Sequence, residues 1–91
     1  MREFSMEKEI CISKILEILE RFANKDTKVW IAEKFGRRWS YIKGFGEEQY
    51  VPVEIVLEFG KYAVFAENLS EVQKEKLQQE IMRKLRENDG E

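Results

Sequence analysis

The stretch Val51-Pro52-Val53-Glu54-Ile55-Val56-Leu57-Glu58-Phe59-Gly60-Lys61-Tyr62-Ala63-Val64-Phe65-Ala66 decides the fold. Val51, Val53, Ile55, Leu57 and Phe59 alternate with Tyr50, Pro52, Glu54, Val56 and Glu58, and this two-residue period lays an apolar row along one face of a β-strand. The pattern predicts a central core strand, with Pro52 near its start, where a missing ladder N–H is tolerated. A two-residue Gly60-Lys61 turn of type II′ then pairs Phe59 with Tyr62, Leu57 with Val64 and Ile55 with Ala66, so that all six share the apolar face.

Upstream, the same period runs through Val29, Trp30 and Ile31 and through Trp39, Tyr41 and Ile42, residues that favour strands. Breaks fall at Gly36, at Gly44 to Gln49 and at Gly60, and connections this short join antiparallel neighbours. Four strands over about residues 28–67 therefore form a β-meander of two hairpins. The hairpins echo each other at an offset of 24, with Val29/Val53, Ile31/Ile55, Phe35/Phe59 and Gly36/Gly60 matching. In the first hairpin a two-residue Gly36-Arg37 turn sets Arg38 and Ser40 on the face of Val29 and Ile31. A three-residue Lys34-Phe35-Gly36 loop with a G1 bulge instead pairs Glu33 with Arg37, Ile31 with Trp39 and Val29 with Tyr41, and is the preferred register.

Helical periodicity flanks the strands. Cys11, Ile12, Ile15, Leu16, Ile18, Leu19, Phe22 and Ala23 follow i, i+3, i+4, i+7 spacing, which predicts an amphipathic helix over about residues 5–23 with Ser5 as N-cap. Cys11 falls within that apolar face and reads as a small buried hydrophobe. Ser70-x-x-Gln73 is a capping-box signature opening a second helix over about residues 70–88. The fold class is α+β: a four-stranded antiparallel β-meander flanked by an N-terminal and a C-terminal helix, in the order α-β-β-β-β-α. All 91 residues form one small domain.

Composition narrows the function classes. With 43% hydrophobic and 37% charged residues the chain is globular, and it lacks the long uncharged run that a membrane span needs. No apolar leader follows Met1, so the expectation is a cytoplasmic protein with no membrane partner. There is no histidine, a single cysteine, and five hydroxyl residues other than tyrosine (Ser5, Ser13, Thr27, Ser40 and Ser70). The usual nucleophiles, general bases and transition-metal ligands are therefore scarce, and neither an enzyme nor a cofactor or metal site is expected. The carboxylate pairs Glu47/Glu48 and Glu54/Glu58 read as solvated surface.

Net charge is −2, but Lys28 to Lys43 holds five cations (Lys28, Lys34, Arg37, Arg38 and Lys43) against Glu33 alone, a local +4. Lys34, Arg37, Arg38, Lys43 and Trp30 are the candidate polyanion-binding residues, since cations contact phosphates while exposed rings stack on unpaired bases. Lys43-Gly44-Phe45-Gly46 and Tyr50 fit parts of the RNP1 pattern, yet Glu47 stands where a base-stacking aromatic belongs. In topology alone, over roughly residues 28–88, four antiparallel strands followed by a helix are similar to the PUR and Whirly type of single-stranded nucleic-acid module.

The second helix carries a narrow apolar seam, Leu77, Ile81 and Leu85 at i, i+4, i+8 with Met82 beside it. Leu77, Ile81, Met82 and Leu85 are the candidate homodimer interface, favoured because the remaining sheet face, with Trp30, Ile42, Val56 and Phe65, also wants cover. The function expected is a small non-catalytic interaction or structural module that self-associates or binds a protein partner. Single-stranded nucleic acid, or another polyanion, on the first hairpin is the alternative.

Overall fold

The computed structural model describes residues 2–89, and the side chains of residues 12–86. The elements run α1 (Arg2–Phe22), β1 (Lys28–Phe35), β2 (Arg38–Phe45), β3 (Val53–Phe59), β4 (Tyr62–Glu67) and α2 (Glu71–Asp89). The predicted order α-β-β-β-β-α and the antiparallel four-stranded sheet are present. The two hairpins join through β1 and β4, giving the strand order β2-β1-β4-β3. Helix α1 begins at Arg2, so Ser5 lies inside the helix rather than at its cap, among glutamate, lysine and methionine residues that propagate helix well. The burial expected of Cys11 lies outside the described side chains. Ser70 does cap α2, accepting the Gln73 N–H at 3.2 Å.

Both helices lie on one face of the sheet, a two-layer arrangement whose smallest extent is only 16 Å. The core between the layers holds Ile15, Ile18 and Leu19 from α1, Val29 and Ile31 from β1, Val56 from β3, Val64 and Ala66 from β4, and Leu77 and Ile81 from α2. Leu77 and Ile81 are fully buried within the single chain, which corrects the reading of α2 as a dimer seam. Leu85 packs at the margin of the same core, and only Met82 of the four is substantially exposed. The reason is width. A helix is about 10 Å across, whereas four strands at about 4.8 Å spacing span nearly twice that, so α1 alone cannot roof the sheet.

Strand three is an edge strand rather than the centre. The central positions belong to β1 and β4, whose Val29-Trp30-Ile31-Ala32 and Ala63-Val64-Phe65-Ala66 are apolar without a break, feeding the helix-side core from one face and the Trp30–Phe65 cluster from the other. β3 carries Glu54 and Glu58 and is preceded by Pro52, and β2 carries Arg38, Ser40 and Lys43, the residues that suit edges.

Two β-bulges reset the registers. The second hairpin pairs Phe59 with Tyr62 and Leu57 with Val64 as expected, but the ladder then skips Val56 and pairs Ile55 with Phe65 instead of Ala66. Val56 and Leu57 thus pack with the helix-side core, while Val53 and Ile55 turn to the opposite face, which breaks up the single apolar row read from the alternation. The Gln78 side chain of α2 donates to the Val56 carbonyl at 2.6 Å, taking up a backbone acceptor near the irregularity. In the first hairpin Phe35 pairs with Arg38 around a two-residue Gly36-Arg37 turn, with Gly36 at φ 62°, so the three-residue loop is overturned. Ile42 is the extra residue there. Skipping it places Lys43 opposite Ile31 and Phe45 opposite Val29, which sets an apolar partner at the covered end of a strand whose helix-facing side otherwise carries Arg38, Ser40 and Lys43.

Candidate interaction surface on the open sheet face

The alternation of β1 sends Val29 and Ile31 to the helices, and Lys28, Trp30, Ala32 and Lys34 to the other side. Across the ladder, Ala32 faces Tyr41 and Lys34 faces Trp39 in β2, and Trp30 faces Phe65 and Ala32 faces Ala63 in β4. Val53 and Ile55 of β3 join them opposite Glu67 and Phe65. None of the described helical residues covers this face.

Its centre is a small second core. Ala32, Ala63 and Phe65 are buried, with Trp30 and Trp39 packed around them. The Trp30 and Phe65 rings stack at 5.7 Å between centroids and 11° between planes, and Trp39 meets Phe65 edge-on at 5.4 Å and 77°. Trp30 has room to stack because its neighbour across the ladder is Gly44, where an added Cβ would collide with the Trp30 Cβ. Rings that stack on one another shield themselves partly from water, yet Tyr41 at 57%, Val53 at 49% and Ile55 at 43% remain exposed around them. Lys28 Nζ lies 5.2 Å above the Trp30 ring and Lys34 Nζ 5.8 Å above Trp39, cation–π placements that keep the ammonium groups on the surface.

The fold divides the predicted polyanion cluster. Trp30 and Lys34 belong to the open face, joined by Lys28, which had not been assigned to the cluster. Arg37 sits in the turn at the end of the hairpin. Arg38 and Lys43 belong to the other side of edge strand β2, where Lys43 Nζ lies 5.9 Å from the ring of Phe45, a residue packed against the helix-side core. Trp39 was expected against Ile31 inside that core and is instead on the open face. The two-residue turn is the cause, because it moves every β2 side chain near the turn to the opposite side.

One end of the open face is closed by the β2–β3 loop. Glu67 ends β4 on this face and is 7% exposed, its carboxylate accepting the Gln49 N–H at 2.8 Å. The Gln49 amide also donates to the carbonyls of Lys25 and Glu47, each at 2.7 Å. Nearby, Asn68 donates to the Asp26 carbonyl and Thr27 to the Asn68 carbonyl, so three loops are tied together at this end.

Comparison with protein-family models, curated proteins and solved structures finds no match for this chain. Function must be read from the surface itself. Among the described residues no group of three His, Cys, Asp or Glu side chains could hold a metal ion, and no helix is long and apolar enough to cross a membrane. The described part of the open face presents exposed Tyr41, Val53 and Ile55 beside lysine ammonium groups held over tryptophan rings. It offers area, rings and a few fixed charges, which suit binding.

Proposed function

We propose that the protein is a non-catalytic interaction module whose working surface is the open sheet face, and that a second copy of the chain occupies it. The observation that carries this reading is the row Trp30, Trp39, Tyr41, Ile55 and Val53, which lies around the buried Phe65 with exposed Tyr41, Ile55 and Val53 at its margins. An antiparallel sheet with one face in water ordinarily alternates to polar residues on that face, and here the alternation leads to aromatic and β-branched ones.

Association by face rather than by edge follows from the edges. Both edge strands are bulged and charged, with Arg38 and Lys43 on β2 and Glu54 and Glu58 on β3, devices that hinder strand addition. The face is also self-complementary in charge. Lys34 lies near the turn end of β1 and exposed Glu58 near the same end of β3, so a twofold axis parallel to the strands brings each copy's β3 over the other's β2 and Glu58 toward the second copy's Lys34.

A second reading, single-stranded nucleic acid, is favoured by one specific feature: the two lysines poised over tryptophan rings, a pairing of cation and stacking surface suited to phosphate and base. Sedimentation equilibrium at about 1 to 100 μM protein, beside titration of a labelled oligothymidylate at low and high salt, separates the readings. Self-association that is insensitive to the oligonucleotide supports the dimer. A monomer that binds the strand with a steep salt dependence transfers the face to nucleic acid, and a monomer that binds neither removes both.

A further inference from the structure

Tyr50 is the most exposed large apolar residue described, at 87%, and its backbone is left-handed, with φ 56°. Aromatic side chains rarely accept that conformation, because Cβ crowds the backbone, and where they do the surrounding structure enforces it. The enforcement here is Gln49, tied through its N–H to the Glu67 carboxylate and through its side chain to two loop carbonyls. A left-handed backbone therefore presents a ring that is almost wholly in water and buries little area within the monomer.

We infer that Tyr50 is a preset anchor for the second copy, an inference that rests on the face-to-face association proposed above. Position supports it. Gln49 is bonded to Glu67 at the end of the open face, and the exposed Tyr50 and Val51 follow it in the chain, just ahead of the exposed Val53 and Ile55 of β3. Area supports it as well. Four strands and about six residues make a face roughly 20 Å on a side, so two flat faces bury roughly 800 Å², short of the about 1,000 Å² of a specific interface, and the dimer needs area from beyond the sheet. With the twofold axis parallel to the strands, the β2–β3 loop of one copy reaches the Lys28–Gly44 end of the other, adding area beyond the flat sheet. A tyrosine suits this role because it brings a large rigid ring with few rotatable bonds and a hydroxyl that remains in water at the rim.

The test compares wild type with Tyr50→Asn and Tyr50→Phe, measuring dissociation constants by sedimentation equilibrium and thermal midpoints at concentrations where each is monomeric. Asparagine tolerates left-handed backbone, so Tyr50→Asn is expected to leave the monomer midpoint unchanged or raise it by a few degrees while weakening association about tenfold or more. Tyr50→Phe is expected to associate like wild type. A Tyr50→Asn variant that dimerises as tightly as wild type, or one whose monomer midpoint falls by several degrees, overturns the anchor while leaving the face-to-face dimer standing. A wild type that stays monomeric throughout overturns both.

Discussion

Val29 and Ile31 in β1 and Val53 and Ile55 in β3 are the same residues at the same spacing, each pair a few positions ahead of a Phe-Gly turn, yet their environments are opposite. Val29 and Ile31 are fully buried beneath the helices, whereas Val53 and Ile55 are 49% and 43% exposed on the uncovered face. Two physical facts separate them. β1 has a strand on either side while β3 is an edge, and the bulge at Val56 reverses the facing of everything before it in β3. A hydrophobic row therefore specifies a strand, but its face depends on every irregularity between that row and the turn.

Truncation in the buried member is the harshest way to probe this contrast. Ile31→Ala removes a fully buried side chain from between the layers and is expected to cost about 2 to 5 kcal/mol in urea unfolding, the range for large-to-small core changes. Ile81→Ala belongs with it, at the same order of loss, because α2 contributes to the same core. An Ile81→Ala monomer as stable as wild type would return α2 to the surface and restore the seam as an intermolecular one.

That outcome bears on what was legible from the residues alone. The element types and their order, the antiparallel pairing, the second turn and the Ser70 cap follow from short-range pattern, because periodicity, glycine placement and capping chemistry are local. Strand order, the edge position of β3 and the placement of α2 depend on the width of the sheet against that of one helix, which no window of sequence expresses. The site was half legible. Of the candidate polyanion-binding residues, Trp30 and Lys34 lie on the open face, and Arg38 and Lys43 lie on the other side of β2 because a two-residue turn and a skipped Ile42 fix their facing. A signal for that turn was available: Phe35-Gly36-Arg37-Arg38 has the same Phe-Gly-cation pattern as Phe59-Gly60-Lys61, whose turn was read correctly. Gln78 gave no local sign of its role, since its bond to Val56 exists only once the bulge and α2 meet. Tyr50 gave none either, because backbone strain is invisible in a pattern of residue types.

A middle-sized effect is expected at the aromatic cluster. Trp39 is half-buried, its ring packed edge-on against Phe65, so Trp39→Ala should cost roughly 1 to 2 kcal/mol in the monomer, well below the 3 to 5 of a fully buried tryptophan. Urea midpoints of dilute protein test the value. A loss as large as that of Ile31→Ala would place Trp39 in the helix-side core and reinstate the three-residue loop.

The smallest effect on the monomer, and the sharpest test of the contrast, belongs to Ile55. Its side chain lies opposite Phe65 on the open face with 43% of its surface in water, so replacement by threonine keeps the β-branched shape and removes little buried area. Threonine also suits an exposed strand position, and the expected change in unfolding free energy is about 0.5 kcal/mol or less in dilute protein. Ile31→Thr, the matching change in β1, strands a hydroxyl in a dry core and should cost several times more. If the open face joins two copies, Ile55→Thr places that hydroxyl in the interface, and the dissociation constant should rise severalfold although the monomer is unaffected. Concentration-dependent unfolding separates the two quantities, since only the association term varies with protein concentration. Equal losses for Ile31→Thr and Ile55→Thr in the dilute limit would mean that β3 faces the helices after all, and the distinction between the two strands would collapse.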